Sequence, residues 1–314
     1  DLTEKHEMAR TLFKEFAENE VKPLAQEIDE EERFPKETVE KMAKAGFMGI
    51  PVPKEYGGQG CDVLTYAICV EELAKVCGTT AVIVSAHTSL CIDPIMQYGT
   101  EEQKKKYLPD LASGKKLGAF GLTEPGAGSD SKAIRTTAVK DGDEWVINGG
   151  KIFCTLTDKC DYYGVLAKTG EDNPMTMGGI TAFLVHKDTP GFKFGRIEDK
   201  LAWGGSATGT LILNDVRVPG SMILGEPNKG LMAFGSTGPQ TYAYLGILSL
   251  GTAEAAYEMA LKYCKERVHS GGGTLFQNYE VVRHHLANMY MEVEACRSLM
   301  YNCMEQMQQG KFPL

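Results

Sequence analysis

The sequence is short of positive charge: 33 Lys and Arg stand against 42 Asp and Glu, a formal net charge of −9 at pH 7. Nucleic-acid binders ordinarily carry a basic excess, so no nucleic-acid partner is expected. The deficit does not argue against an anionic small ligand, whose binding follows the local field at its site. Nine cysteines are present, an odd number, and no two have C-x-x-C spacing; the six histidines include no H-x-x-x-H pair. Neither a disulfide framework nor a metal site is expected, and a reducing setting such as the cytoplasm is. No apolar run reads as long enough to span a bilayer. The start, Asp1-Leu2-Thr3-Glu4-Lys5-His6, is acidic and polar, unlike a signal peptide, and without an initiator Met it reads as trimmed. Three further motifs are missing: the G-x-G-x-x-G dinucleotide fingerprint, a Gly-Lys followed by Ser or Thr, and the G-x-S-x-G nucleophile elbow. A Rossmann dehydrogenase, a P-loop enzyme and a serine hydrolase of that type are therefore disfavoured. Flavin binding stays open, because flavins bind in many folds.

What is present is a chain of 314 residues with 43% hydrophobic and 24% charged residues, ordinary for a globular protein and enough for two or three structural units. Residues 1–116 read as helices. Met8, Leu12, Phe13, Phe16, Val21 and Leu24 recur at helical spacing. Further helices are expected at 35–45, with Pro35 in the first turn, and at 62–76. Residues 79–96 are apolar almost all round and should be buried, with Pro94 bending or ending the helix. Thr100-Glu101-Glu102-Gln103 forms a capping box for another helix. Near residue 117 the period changes. Short alternating runs at 145–150, 180–186, 191–196 and 210–214, rich in Gly, Thr and Val, suggest a compact antiparallel barrel or sandwich. From about residue 229 the helical period returns, with long amphipathic stretches at 251–267 and 278–309 joined by the flexible His269-Ser270-Gly271-Gly272-Gly273-Thr274. Tyr242 and Tyr244 read as helix packing. Arg283, His284 and His285 read as a solvated helix face, and Met289, Met291, Met300, Met304 and Met307 as core or interface filler.

One segment stands out: Phe120-Gly121-Leu122-Thr123-Glu124-Pro125-Gly126-Ala127-Gly128-Ser129-Asp130. It is a strand breaking into a loop of small residues, which exposes backbone N–H groups and lets a flat ligand approach. On physics alone a plain turn between strands is the favoured reading. Together with Val52-Pro53-Lys54-Glu55-Tyr56-Gly57-Gly58, Tyr98-Gly99-Thr100-Glu101-Glu102-Gln103-Lys104, Ile147-Asn148-Gly149-Gly150-Lys151-Ile152-Phe153, Asp188-Thr189-Pro190-Gly191-Phe192 and Val216-Arg217-Val218-Pro219, the segment resembles the acyl-CoA dehydrogenase family over nearly the whole chain.

The resemblance implies an α+β protein: an N-terminal helical domain (1–116), a middle antiparallel β-barrel domain (117–226) and a C-terminal helical domain (227–314), incomplete here. It implies FAD as cofactor, an acyl-CoA substrate, an electron-transfer flavoprotein or similar acceptor, and a homotetramer. By motif, Phe120, Leu122, Thr123, Gly128 and Ser129 line the flavin and the thioester end of the substrate, and Phe153 and Thr155 hold the flavin ring. Arg267 and Gln277 reach FAD across a subunit interface. Thr241 and Tyr242 stand where the family has Glu or Gly and then Arg, so the earlier helical position for the catalytic base is empty. The usual C-terminal glutamate is absent from these 314 residues. Gly204-Gly205-Ser206 and His269-Ser270-Gly271 also depart from the family pattern.

Asp93 is a carboxylate in an otherwise apolar helix. Its bland reading is a cap or a solvent-facing side chain near Pro94. Its functional reading is a catalytic base reaching further along the acyl group than usual, as in dehydrogenases of the alicyclic, cyclohexene-carboxyl-CoA type. The alternatives are a non-catalytic CoA- or flavin-binding homologue, a short-chain acyl-CoA dehydrogenase whose Glu lies beyond Leu314, and an oxidase or enoyl-CoA reductase working in the opposite direction.

Overall fold

The computed structural model describes residues 2–171 and 178–311. The N-terminal helices are α1 (Glu4–Phe16), α2 (Lys22–Glu30), α3 (Lys36–Lys44), α4 (Val63–Ala74), α5 (Gly78–His87), α6 (Asp93–Tyr98) and α7 (Glu101–Ala112). Capping side chains fix where several of them start. Thr3 accepts from the His6 N–H, Asp62 from the Thr65 N–H, and the expected capping box joins Thr100 and Gln103. Of the anticipated apolar stripe on α1, Phe13 is buried while Met8 and Leu12 are exposed.

Pro94 neither ends nor breaks its helix. Residues Thr88–Ile92 widen into a π-turn in which the Asp93 N–H donates to the Thr88 carbonyl, and α6 continues with Pro94 in its first turn. The same device recurs earlier. A π-turn over Ala17–Val21, with the Lys22 N–H donating to Ala17, precedes Pro23. A proline has no N–H for the carbonyl four residues back and its ring collides with it. The wider turn moves that carbonyl aside and keeps the helix running. As a result Gly78–Tyr98 runs as one 21-residue helical stretch of mean hydropathy 1.2, contrary to expectation long and apolar enough to cross a membrane. Its most apolar window is 89% buried inside the protein, which makes it a core helix.

The middle region contains β1 (Gly118–Gly121), β2 (Thr137–Asp141), β3 (Glu144–Cys154), β4 (Tyr162–Lys168), β5 (Ile180–His186), β6 (Phe192–Ile197), β7 (Gly209–Pro219) and β8 (Ile223–Leu224). The strand order is β6-β7-β3-β2-β4-β5-β8, with β1 added beside β4. The expected antiparallel barrel is corrected to an open, mixed sheet. Both β1 and β2 run parallel to β4, and β6 and β8 are left as its two ends. β1 enters from α7 alongside β4, so the chain must cross through residues 122–136 before β2 can form, and a simple meander is not available.

Helix α8 (Gly230–Glu266) starts where the helical period was expected to return and runs on through the amphipathic stretch at 251–267, and α9 (Leu275–Asn278) and α10 (Glu280–Gln308) follow it. A buried polar network joins α1, α4, α8 and α10. Arg297 reaches Glu71 at 3.1 Å and Glu254 at 2.6 Å, Lys75 pairs with Glu254 at 3.0 Å, and Arg10 lies 3.5 Å from Glu71. Of the methionines, Met304 and Met307 are core while Met291 is exposed. Arg283, His284 and His285 form the exposed face anticipated for them.

His87, fully buried, ties α5 to the sheet. Its Nε2 donates to the Leu111 carbonyl at 3.0 Å, and its Nδ1 accepts from the Gly118 N–H at 3.0 Å. This uses both ring nitrogens of one neutral tautomer. Burial pushes its pKa down from 6.5 to about 4. A His depressed in the folded state contributes stability that is present above pH 6.5 and is lost as pH falls toward 4, because the unfolded chain binds the proton first. His87→Leu leaves a buried N–H and a buried carbonyl unpaired and should cost about 2–4 kcal/mol at pH 7.5. Thermal unfolding at a series of pH values should show the gap between wild type and variant narrowing from pH 6.5 to pH 4; a constant gap contradicts the neutral assignment.

Candidate active site

β1 ends in the loop at residues 122–130, and two hydrogen-bond sets hold that loop. The Glu124 and Ala127 N–H groups each donate to the other's carbonyl at 3.0 Å, and the Ile152 N–H of β3 donates to the Thr123 carbonyl at 2.8 Å. Beneath them lies an ion pair that sequence pattern alone does not assign to the site. Lys151 Nζ, fully buried, contacts Glu124 Oε1 at 2.7 Å and donates to the Leu122 carbonyl at 3.3 Å. Glu124 also accepts from the Arg135 N–H at 2.6 Å and the Thr136 N–H at 3.0 Å. Burial pushes the Glu124 carboxyl up, but hydrogen bonds from Lys151, Thr136 and Arg135 outweigh it and hold the carboxyl below its ordinary range.

On the outer side the loop is open. A Cβ placed on Gly126 or Gly128 meets nothing within 4 Å, and Ser129 is exposed. Leu122 and Thr123 are half-buried. The Ile152–Thr123 hydrogen bond brings the end of β3 alongside. There Phe153 sits at φ +56° with 59% of its surface exposed, and Thr155 is half-buried. A bulky residue held in the left-handed region with its ring in solvent is strained on both counts, an arrangement concentrated at ligand sites. Phe120 stacks on Phe234 of α8, ring centroids 4.3 Å apart. An exposed ring, an open glycine cradle and free backbone donors together fit a flat aromatic cofactor such as the flavin ring.

Asp93 is in the first turn of α6, directly after the π-turn of residues 88–92, whose Cys91 packs on Gly118 of β1. The bland reading fails: the residue is buried, 8% exposed, and is not a solvent-facing cap. Burial pushes its pKa from 3.8 up to about 7. Among the described residues no hydrogen bond or ion pair reaches its carboxylate. Tyr66 of α4 and Tyr244 of α8 flank it; their rings meet edge to face at 4.7 Å, and both phenols are pushed up by burial and by the Asp93 charge. Tyr244 packs as expected, whereas Tyr242 does not: it is 75% exposed, because the two residues lie about 200° apart around the helix. Thr241 is half-buried, near Gln240, which accepts from Gln97 of α6 at 2.9 Å.

Arg267 and Gln277 lie elsewhere, on the exposed connection between α8 and α10. Gln277 caps α9 through Thr274, and among the described contacts neither residue touches the 120–130 loop or Phe153. The sequence reading missed Lys151, Glu124, Phe234 and Tyr66 as parts of the site. The available signal was period-2 alternation, which puts Lys151 on the inward face with Ile147 and demands an acidic partner.

Gly128 offers a clean test of the cradle, since the space around it is empty and its φ is not positive. Gly128→Leu should leave the apoprotein's melting temperature unchanged and weaken FAD binding at least tenfold, measured by flavin fluorescence titration; unchanged affinity would place the flavin elsewhere.

Models of the acyl-CoA dehydrogenase N-terminal, middle and C-terminal domains match residues 3–115, 119–216 and 229–313. The chain is 47% identical over 301 residues to the short-chain-specific acyl-CoA dehydrogenase of Clostridium acetobutylicum, covering 96% of this chain and 78% of that protein. It is 40% identical over 310 residues to subunit CarC of the caffeyl-CoA reductase-Etf complex of Acetobacterium woodii, covering 98% and 81%. Among solved structures, an acyl-CoA dehydrogenase complexed with FAD from Bacillus anthracis superposes with a TM-score of 0.92 at 32% identity, covering 98% of this chain and 52% of that one. The chain therefore belongs to the acyl-CoA dehydrogenase family.

Proposed function

We propose that this protein oxidises a carbon–carbon bond of a conjugated or cyclic acyl-CoA thioester with Asp93 as the base, and passes the electrons to an electron-transfer flavoprotein. The observation that carries the reading is Asp93 itself: a buried carboxylate with no partner among the described residues, held between Tyr66 and Tyr244 directly after the π-turn that packs on β1. Structural carboxylates at such depth are ordinarily paired. An unpaired one with its pKa brought near 7 is suited to take and release protons.

The 120–129 loop, Phe153 and Thr155 would hold FAD, which when bound would supply the hydride acceptor. The chain's own residues do the rest. Asp93 takes the proton from a carbon whose acidity reaches it from the thioester through conjugation. Thr123 and Ser129 offer polar contacts along the loop, and Thr241 and the exposed Tyr242 face the substrate from α8. The loss of the family arginine at Tyr242 leaves room and lower charge for a ring. Arg267 and Gln277 are offered outward to a neighbouring subunit's cofactor in a homotetramer, and the three units divide at 1–116, 117–226 and 227–314. Nine unpaired cysteines suit a reducing compartment such as the cytoplasm.

A second reading runs the same atoms in reverse, as an enoyl-CoA reductase with protonated Asp93 as the acid. Likeness to a reductase-Etf subunit favours it.

Asp93→Asn, assayed anaerobically with a dye acceptor on a cyclic unsaturated and a straight-chain saturated acyl-CoA, should lower kcat on the preferred substrate by about 10²–10⁴. Wild-type kcat should rise with pH through about 7, the base being active when ionised. Undiminished activity removes Asp93 from the chemistry. Stability gives a second readout. A carboxyl raised from 3.8 to about 7 on folding costs stability progressively as pH rises across that window. Asp93→Asn should therefore gain on the order of 4 kcal/mol over wild type between pH 4 and pH 8.

A further inference from the structure

We propose that Lys151 and Glu124 are positioning residues for the cofactor, acting by fixing the orientation of the peptide between Leu122 and Thr123. The inference rests on the placement of FAD at the 120–129 loop. The Leu122 carbonyl points inward, to Lys151 Nζ at 3.3 Å. No peptide bond in the described chain is cis, so the N–H of the same peptide, that of Thr123, points the opposite way, toward the open side of the loop. The Thr123 carbonyl is in turn occupied by the Ile152 N–H at 2.8 Å, and the Glu124 N–H by the Ala127 carbonyl at 3.0 Å. The Thr123 N–H, like those of Gly126, Gly128 and Ser129, thus has no partner among the described residues. Its direction is dictated from below by a buried ammonium.

Glu124 completes the device. Its carboxylate holds Lys151 at 2.7 Å and is itself held by the Arg135 and Thr136 N–H groups at the entry to β2. The ammonium therefore cannot swing away from the Leu122 carbonyl without leaving a buried charge unpaired. Gly121 gives the stem of Lys151 its path, since a Cβ there would stand 3.1 Å from Lys151 Cγ. Neither side chain needs to touch the flavin, because the effect passes through the backbone.

The experiment compares the full-length wild-type protein with Lys151→Met/Glu124→Gln, which removes both charges together, and with Glu124→Gln alone, which keeps one acceptor oxygen for Lys151. Apoprotein melting temperature and far-UV circular dichroism report folding. The FAD dissociation constant and the visible flavin absorption of the loaded protein report positioning. The folded double variant should bind FAD at least tenfold more weakly, with an altered flavin spectrum; Glu124→Gln should show a smaller loss in the same direction. A purely structural pair would lower the melting temperature yet leave FAD affinity and spectrum, measured well below it, as in wild type, and that result overturns the proposal. If the double variant does not fold, wild-type affinity in folded Glu124→Gln overturns it equally. Gly128→Leu separates the two levels. Weakened binding there with normal binding in the charge variants defeats only the positioning role. Normal binding in all of them defeats the placement of FAD on this loop and the positioning role with it.

Discussion

The arrangement depends on how a buried helix accommodates Pro94. The Gly78–Tyr98 stretch is enclosed by α4, α7, α8 and the start of the sheet, so its backbone groups must be satisfied without water. Pro94 removes one donor in the middle of it. The π-turn at Thr88–Ile92 resolves this by adding a residue to the turn, and one added residue rotates everything after it by about 100° relative to an uninterrupted helix. That rotation is inherited by Asp93, the first residue beyond the turn, which is brought toward Tyr66 and Tyr244. Close packing on the sheet side fixes the depth: a Cβ at Gly118 would stand 2.2 Å from Cys91 Sγ, so only glycine lets β1 lie against the turn. His87, one residue ahead of the π-turn, bonds that same Gly118.

Helix α8 carries the opposite wall, with Phe234 on Phe120, Gln240 on Gln97 and Tyr244 on Tyr66. Its placement is set further along by charges. Glu254 is shared by Lys75, just past the end of α4, and Arg297 of α10, and Arg297 also reaches Glu71. A buried network of this kind stabilises little over an apolar equivalent, but it defines one register, because any slide leaves a charge unpaired. Gly251 adds a steric stop, with a Cβ there only 2.5 Å from the Glu71 carbonyl. Register of α8 against α4 is what places Tyr244 beside Asp93 and not a turn away.

The order of helices, strands and helices was legible in the sequence because period and turn chemistry change sharply near residues 117 and 229, and the capping box at Thr100 marked its helix start correctly. The candidate loop was legible as a motif, whereas the sequence left Asp93 open between a solvent-facing cap and a buried carboxylate, and only the packing around α6 decided it. The π-turns were not, since local pattern says that a proline disturbs a helix but not how the helix recovers. Strand pairing was not either. Alternation identifies strands, yet the parallel pairing of β1 with β4 depends on a crossing through residues 122–136 that carries no periodic signal. The exposure of Tyr242 escaped for a related reason: helical spacing separates it from Tyr244, but which of the two faces inward is decided by Tyr66, 178 positions distant from Tyr244 along the chain.

Two buried carboxylates, Glu124 and Asp93, show how one side-chain type is given two fates. Glu124 receives an ammonium and two backbone N–H groups, and these donors outweigh burial and keep it ionised. Asp93 receives none among the described residues, and burial alone moves it to about 7. The difference lies in local backbone geometry. Glu124 stands on an irregular loop beside β2, whose free N–H groups at Arg135 and Thr136 need an acceptor. Asp93 stands where a helix continues out of a π-turn, so the N–H groups around it are already taken up by the helix. A carboxylate whose oxygens are saturated can only hold structure. One whose oxygens are empty, at the same depth, is costly to maintain unless something transient uses it, and an acidic C–H on a bound thioester is a group of that description.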